Sequence, residues 1–288
     1  MSAAAPARSD APLALICGGG SLPLAVADLV AARGRRVLLF PVRGAARPED
    51  YAGRPHTWFR IAQFGTIARV ARAAGCSEIV LIGSSVRPAF WQMRFDWMTL
   101  KLLPRIAAAF RGGDDHLLSS VSKLIEQQGF RLLGAHEVAP EILVPHGPLG
   151  RVRPSDADRA DIEFGLDYLR AAGPFDVGQA VVVAGRHVLA VEAAEGTDGM
   201  LARVAELRAS GRIGTRGGVL VKAPKPQQDR RLDLPSIGPA TVEGAARADL
   251  AGIAVIAEET VMAEPAALAA AADRAGLFVH GVAPGARS

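Results

Sequence analysis

The opening stretch of the chain restricts its fold more than any other segment. Residues 13–17 (LALIC) have the length and apolar content of a buried strand. A glycine-rich turn follows at 18–23 (GGGSLP), and the Ala, Leu and Val spacing of 24–34 is helical and ends at Gly34. Residues 35–42 (RRVLLFPV) resemble the next strand. Strand, turn, helix and strand in this order predict the βαβ unit that opens a doubly wound α/β sheet.

The remaining pattern predicts an α/β protein of two domains. A helix and a strand at 64–83 repeat the opening pattern, so residues 11–135 are expected to form a Rossmann-like N-terminal domain. Residues 136–155 contain four prolines without sustained periodicity, which favours a linker. From 156 to 288, helical patterns alternate with apolar strands, including a predicted hairpin that turns at Gly185. This part is expected to be a C-terminal α/β domain.

Capping residues mark where several predicted helices begin. Ser155 or Asp156 would open the helix that follows the linker. Asp114 or Asp115 would cap an amphipathic helix after a Gly-Gly turn, and capping alone is a sufficient reason for these two aspartates; a chemical role is the alternative. A further helix is predicted at 243–252.

Composition excludes several classes of protein. Of the 288 residues, 50% are apolar and 22% charged, which allows a sizeable core and excludes disorder. The net charge of +4 comes without dense basic runs, so no nucleic-acid partner is expected. Cys17 and Cys76 lack metal-ligand spacing and suit buried thiols in a reducing cytoplasm. No apolar stretch reaches the ~18–20 residues of a membrane span, so we expect a cytoplasmic protein.

The glycine-rich turn allows two interpretations. Gly18, Gly19 and Gly20 let a backbone approach a ligand closely, and the helix start after Ser21 offers free N–H groups to a phosphate. A purely structural turn explains the same residues. The turn departs from the G-x-G-x-x-G pattern and no acidic residue follows the second strand to bind a ribose, so a nicotinamide cofactor is not expected.

An aromatic segment at 85–110 differs from the rest of the chain. It contains Trp91 and Trp97, three phenylalanines and two methionines, with four cations interleaved. A helix packed in the core with its cations pointing outward is one interpretation. The other is an apolar surface for acyl chains or a membrane interface, flanked by cations that suit anionic headgroups.

Two charged segments follow apolar strands. Glu192, Glu195 and Asp198 lie in a glycine-punctuated loop after the first strand, and residues 221–238 (VKAPKPQQDRRLDLPSIG) follow the second. Ligand sites of parallel sheets lie beyond the carboxyl ends of strands, so we expect these segments to face one another. The second segment adds carboxylates and cations, namely Asp229, Asp233, Lys222, Lys225 and Arg231.

This combination of carboxylates and cations suits phosphoryl chemistry. Mg²⁺ is held by one or two carboxylates together with phosphate oxygens of the substrate. Lysine and arginine offset the charge on those oxygens, and a carboxylate or the metal activates water. The alternative is a solvated loop crossed by exposed ion pairs, each of which contributes ~0–1 kcal/mol.

Five stretches resemble a known family. GGGSLPLAVADLVAARG, GGDDHLL, GPFDVGQAVVV, VEAAEGTDGM and the long stretch from GGVLVKAPKPQQDRRLDLPSIG onward are similar, in this order, to the LpxI-type UDP-2,3-diacylglucosamine pyrophosphatases. The resemblance implies a cytoplasmic, Mg²⁺-dependent enzyme of lipid A biosynthesis that hydrolyses UDP-2,3-diacylglucosamine to 2,3-diacylglucosamine 1-phosphate and UMP. It also implies two α/β domains with the site in the cleft between them, and a homodimer. Because the substrate is a lipid, we expect peripheral contact with the inner membrane.

Carried onto this chain, the family's motifs assign roles to particular residues. The expected catalytic residues are Asp233, Asp229, Lys222 and Lys225. The expected metal ligands are Asp229, Asp233, Glu195 and Asp198, and the same acidic motif includes Glu192. Substrate contacts are expected from Gly18, Gly19, Gly20, Ser21, Thr197, Gln227 and Arg231, and acyl-chain contacts from Trp91 and Trp97. Which carboxylate binds the metal and which activates water stays open.

Two other classes of function compete with hydrolysis. Another sugar-nucleotide enzyme, such as a transferase that uses the glycine-rich turn, would need an acceptor other than water. A regulatory protein would bind the lipid or nucleotide without converting it. Consumption of the nucleotide by water alone, lost on substitution of Asp229 or Asp233, would exclude both.

Overall fold

The computed structural model describes residues 10–60, 63–84, 114–214 and 216–284. The chain divides into two compact units. The N-terminal unit comprises the chain up to Pro140 together with Asp229–Leu232, and the C-terminal unit comprises Glu141–Gln228 and the chain from Asp233 onward. Trp91 and Trp97 lie outside the described residues, so both interpretations of the aromatic segment stay open. No described helix has the length and apolar character needed to cross a bilayer.

The N-terminal unit is built on a parallel sheet of four strands in the order β2-β1-β3-β4. These are β1 (Leu13–Cys17), β2 (Val37–Pro41), β3 (Glu78–Ile82) and β4 (Arg131–Leu133). The accompanying helices are α1 (Leu22–Ala32), α2 (Phe64–Ala73), α3 (Asp114–Gln127) and the short α4 (Ala135–Val138). All five residues of β1 are buried, as expected of a central strand that pairs on both edges. The predicted order of strand, turn, helix and strand is confirmed.

The C-terminal unit contains a mixed sheet in the order β5-β12-β10-β8-β6-β7. Its strands are β5 (Gly147–Pro148), β6 (Ala180–Ala184), β7 (His187–Val191), β8 (Val219–Lys222), β10 (Gly252–Ile256) and β12 (Phe278–Val282). A separate parallel pair joins β9 (Ser236–Ile237) to β11 (Val261–Met262). Strand β6 is antiparallel to both β8 and β7. Strands β7 and β8 therefore run in the same direction and end at the same edge of the sheet.

Helices cover both faces of this sheet. They are α5 (Asp156–Ala172), α6 (Gly196–Ala209), α7 (Pro239–Arg247) and α8 (Pro265–Ala275). Side chains alternate along β6, so that Val181 and Val183 pack in a cluster with α5, whereas Ala180 and Val182 pack in the cluster that contains α6, α7 and α8. The face that packs on α6, α7 and α8 is also the face on which the candidate site lies.

Several helices begin or end at residues for which the sequence made a prediction. Ser155 caps α5, because its hydroxyl accepts from the Asp158 N–H at 3.2 Å, which confirms one of the two predicted starts. The helix predicted at 243–252 begins earlier, at Pro239, and ends at Arg247. Proline is suited to the first turn of a helix, and Asp249 has a left-handed φ of 53° that a helix cannot continue. Residues 192–198 are not wholly a loop, since α6 begins at Gly196.

The segment 136–155, predicted as a linker, contains short regular elements. They are most of α4, a 3₁₀ turn at Pro140–Ile142, and β5, which pairs with β12. The division between the two units falls after Pro140. The domain limits at 135 and 156 stay predictions.

The hairpin between β6 and β7 depends on a buried carboxylate of α5. Gly185 and Arg186 have φ values of 58° and 59° and form the turn predicted at Gly185. Both of their N–H groups donate to the Asp161 carboxylate, at 3.0 and 2.6 Å. We expect Asp161→Ala to lower the free energy of unfolding by ~1–3 kcal/mol in urea titrations, because two donors lose their acceptor. Asp167→Ala, exposed on the same helix, should change it by less than ~0.5 kcal/mol, and equal losses would contradict this explanation.

Candidate active site

A cavity of about 570 Å³ lies in the C-terminal unit where three helices begin. The first turn of α6 contributes Thr197 and Asp198, and the first turn of α7 contributes Pro239 and Thr241. Glu264, the residue before α8, also lines it. The first N–H groups of a helix have no partner within the helix and carry the positive end of its dipole. Three helix starts around one cavity therefore favour an anionic ligand.

The strand register brings two predicted motifs to this cavity. Ala180 of β6 pairs with Lys222 at the end of β8, and the Glu192 N–H donates to the Ala180 carbonyl at 2.9 Å. Glu192, Ala180 and Lys222 thus form one row across three strands, with the outer two backbones ~10 Å apart. Ala180 belongs to the core face that packs on α6, α7 and α8, so Glu192 and Lys222 project toward the same helices. Two motifs thirty residues apart meet because β6 lies between them.

Lys222 is the central cation of the cavity. Only 4% of the residue is exposed. Its ammonium donates to the Thr197 Oγ1 at 2.9 Å and to the Ser236 carbonyl oxygen at 3.0 Å. Burial lowers the pKa of Lys222 below its ordinary value of 10.5, and the charges of Glu192, Asp198 and Asp233 oppose that shift. The three carboxylates therefore favour the charged form of a poorly solvated lysine, at a place that suits phosphate oxygens.

The cavity wall also carries four carboxylates. Glu195, Asp198, Glu243 and Glu264 all line it. A diphosphate would meet repulsion from this wall unless another cation offset the charge. The wall therefore suits a phosphate ligand that arrives with, or shares, a divalent cation.

The four predicted metal ligands differ in the side chains with which they interact. Glu195 pairs with Arg203 at 2.7 Å and Asp229 pairs with Arg231 at 2.8 Å. Asp198 lines the cavity, whereas Asp233 accepts from the Gln228 amide and is not among the lining residues; both act on Lys222 by their charge. Within the described ranges no three His, Cys, Asp or Glu side chains are grouped to hold a metal ion. Mg²⁺ commonly uses only one or two carboxylates together with phosphate oxygens, so a group of three is not required.

The loop after β8 is braced by its own polar groups. Gln228 is buried, donates through its amide to the Asp233 carboxylate and accepts from the Lys225 N–H at 3.1 Å. The Lys225 ammonium pairs with Asp176 at 2.5 Å. Gln227 is exposed. The loop is thus internally ordered, and its bracing places Asp233 in the charge environment of Lys222.

Asp229 and Arg231 belong to the N-terminal unit. The Arg231 guanidinium donates to both oxygens of Asp229, at 3.0 and 2.8 Å, and to Glu126 of α3 at 2.9 Å. These hydrogen bonds hold the pKa of Asp229 below its ordinary value. Leu232 packs against the hydrophobic core of the same unit. Local pairing alone accounts for these two charges, and their catalytic and substrate roles stay predictions.

Contacts inside the N-terminal unit explain two of the three turn glycines. A Cβ on Gly18 would lie 2.5 Å from the Ser84 carbonyl oxygen, and one on Gly19 would lie 2.8 Å from the Ala45 carbonyl oxygen. Gly20 has a φ of 91°, which favours glycine. Ser21 precedes α1 without a side-chain capping bond. The structural interpretation of the turn is therefore sufficient, and contact of these four residues with a substrate stays a prediction.

The sequence reasoning missed several parts of the cavity. It assigned no role to the Ser236 carbonyl, to Thr241 or to Glu264, all of which line the site. Pro239 and Pro265 were the available signals, because proline in the first turn marks a helix start and hence a cluster of free N–H groups. Three such starts close together could not be recognised without the sheet order.

Comparison with known proteins adds a family relationship. Residues 12–142 match the LpxI N-terminal domain and residues 145–280 match the LpxI C-terminal domain. The chain is 46% identical over 276 residues to the UDP-2,3-diacylglucosamine pyrophosphatase LpxI of Caulobacter vibrioides, covering 94% of this chain and 98% of that protein. A solved UDP-glucose 4-epimerase of Thermus thermophilus is 15% identical, covering 95% of this chain and 86% of its own, with a TM-score of 0.30, too low to bear on the fold.

Proposed function

The chain belongs to the LpxI family, and we propose that it hydrolyses the pyrophosphate bond of UDP-2,3-diacylglucosamine in lipid A biosynthesis. The products would be 2,3-diacylglucosamine 1-phosphate and UMP. The observation that carries this proposal is the 46% identity to the Caulobacter pyrophosphatase across 94% of the chain. Identity at this level over both domains supports the same substrate class.

The direct test supplies purified protein with UDP-2,3-diacylglucosamine and no acceptor other than water. Phosphorus NMR should show the diphosphate signals replaced by those of two phosphomonoesters. Tight binding without turnover would favour a regulatory lipid- or nucleotide-binding protein instead. Turnover only after a sugar or lipid acceptor is added would favour a transferase.

We propose that the diphosphate of the substrate binds in the cavity beside Lys222. The three helix starts and the buried ammonium contribute positive potential toward a diphosphate, and a bound cation would offset the carboxylates of the wall. The ammonium would stabilise charge that grows on phosphoryl oxygens as the bond to the leaving group breaks. Asp198 or Asp233 would orient and deprotonate the attacking water, since both lie within the charge environment of Lys222.

We propose Mg²⁺ as the cofactor, held by one of the carboxylates Asp198 and Asp233 together with phosphate oxygens of the substrate, while the other acts on water. When bound, it would neutralise charge on the diphosphate and polarise a phosphoryl oxygen. Its support is the acidic wall of the cavity, which on its own disfavours a dianionic ligand.

Removal of divalent cations should therefore abolish most of the activity. We expect excess EDTA to reduce the initial rate by at least about a hundredfold, because metal polarisation contributes several kcal/mol to transition-state stabilisation. Added Mg²⁺ should restore the rate, whereas the circular dichroism spectrum should not change. Full activity in EDTA would contradict the metal proposal and leave the hydrolase proposal intact.

We also propose a Rossmann-like N-terminal domain, a homodimer and peripheral membrane contact. The parallel order β2-β1-β3-β4 supports a Rossmann-like N-terminal domain. A homodimer would be tested by analytical ultracentrifugation, and peripheral contact with the inner membrane by cosedimentation with vesicles that contain anionic lipids. Binding of the ligand between the two domains stays a prediction.

A further inference from the structure

We propose that Glu192 is a positioning residue, which holds the Lys222 ammonium in place through the Thr197 hydroxyl. In this arrangement Thr197 connects the Glu192 carboxylate to the ammonium and does not contact the substrate. The family motif had instead suggested a substrate contact for Thr197. The inference rests on the proposed function only in that Lys222 must act on the diphosphate. It adds roles for two side chains to that site.

The donors and acceptors of the link have one consistent arrangement. An ammonium can only donate, so the Lys222 Nζ donates to the Thr197 Oγ1 at 2.9 Å. The Thr197 hydroxyl hydrogen is consequently free to be donated to the Glu192 Oε1 at 3.0 Å. The other oxygen of Glu192 accepts the Gln179 N–H at 3.1 Å. Each carboxylate oxygen thus has a donor, and the hydroxyl acts as both acceptor and donor.

The backbone around Glu192 makes the link rigid. The Gly178 N–H donates to the Glu192 carbonyl oxygen at 3.1 Å, and a Cβ on Gly178 would overlap the Glu192 backbone. Only 8% of Glu192 is exposed. A buried carboxylate held by the backbone just before β6 is a firm anchor, in contrast to Glu195, which is exposed.

The third N–H group of the Lys222 ammonium is available to a ligand in the cavity. Among the described residues, Thr197 and Ser236 are the hydrogen-bond partners of Lys222. An ammonium has three N–H groups, so one is left for an oxygen in the cavity that Lys222 lines. Fixing two N–H directions determines the third, which is how Glu192 would influence catalysis without touching the substrate.

Glu192→Gln breaks the link while keeping the shape of the side chain. If the amide NH₂ faces Gln179, two donors oppose each other; if it faces Thr197, the hydroxyl receives two donors. We expect Glu192→Gln and Thr197→Val each to lower kcat by ~10–100-fold with KM changed by less than ~3-fold, since a misplaced group acts on the transition state. Thr197→Ser keeps the hydroxyl and should stay within ~3-fold of wild type in both constants. Glu206→Gln, the same change at an exposed position of α6, is the matched control.

Double variants test whether Glu192 acts through Lys222. In a Lys222→Met background, Glu192→Gln should cause no further loss of kcat, because the residue it positions is absent. Additive losses would overturn the inference, as would a raised KM with unchanged kcat in Thr197→Val, which would indicate direct substrate contact. Should Glu192→Gln fail to fold, the Thr197→Val and Thr197→Ser pair decides the question. Wild-type activity in Lys222→Met alone would instead overturn the proposed site.

Discussion

Lys222→Met is expected to reduce kcat/KM for UDP-2,3-diacylglucosamine by about a thousandfold. Removal of one preorganised donor or cation that stabilises phosphoryl or oxyanion charge typically has an effect of this order. Lys222 is buried at the end of β8, is held by Thr197 and Ser236, and lines the cavity at three helix starts. Methionine retains the length and apolar character of the stem and removes only the charge and its hydrogen bonds.

Initial rates at several substrate concentrations would measure this effect. Lys123→Met is the matched control, because Lys123 is exposed on α3 and no role in the site is assigned to it. The control should retain activity within ~2-fold of wild type. A loss of less than ~10-fold in Lys222→Met would contradict a direct role for this ammonium in catalysis.

The stability of the same variant separates catalysis from folding. Because burial lowers the pKa of Lys222, the unfolded chain binds more protons than the folded one between the lowered pKa and 10.5. The contribution of Lys222 to unfolding free energy therefore rises with pH through that window and levels off above it. In Lys222→Met this rise should be absent, so the stability of wild type relative to the variant should increase as the pH approaches 10.5. Urea titrations at neutral and alkaline pH would measure the difference.

Local patterns were sufficient for much of the fold. The apolar run of β1, the glycine turn and the periodicity of α1 each depend on neighbouring residues, and all three elements are present, although α1 begins at Leu22, inside the predicted turn, and ends at Ala32. The turn at Gly185 could likewise be predicted from the two apolar runs on either side of a glycine. The start of α6 could not, because Gly196 and Gly199 weaken helix propensity. That helix is stabilised by tertiary packing of Met200, Leu201 and Val204 in the core.

The site could be predicted only in part from the sequence, because its geometry depends on the order of the strands. Sequence spacing identified Lys222 and the acidic motif, but their meeting requires β6 to lie between β7 and β8. The pairing of Arg231 with Glu126 joins residues 105 positions apart and has no local signal. Burial of Lys222 is likewise a tertiary property, since a lysine in a segment of charges would ordinarily be assigned to the surface.

Asp198→Asn and Asp233→Asn are each expected to lower activity by at least about a hundredfold. Of the four predicted metal ligands, these two act on Lys222 by their charge, and Asp198 also lines the cavity. The asparagine side chain keeps the size and one acceptor but removes the charge that binds Mg²⁺ or accepts a proton from water. Rates measured against free Mg²⁺ concentration would show the loss, with Asp167→Asn, exposed on α5, as the control.

The same titration distinguishes the two roles left open by the sequence. A variant that has lost a metal ligand should need more Mg²⁺ for half-maximal rate and recover partly when Mg²⁺ is raised. A variant that has lost the base should keep its half-saturating Mg²⁺ concentration and stay slow at every concentration, because water is then not deprotonated. Glu195→Gln should lose less than ~10-fold, since Arg203 already neutralises that carboxylate. A larger loss in Glu195→Gln than in both aspartate variants would assign the metal to Glu195 and contradict the proposal.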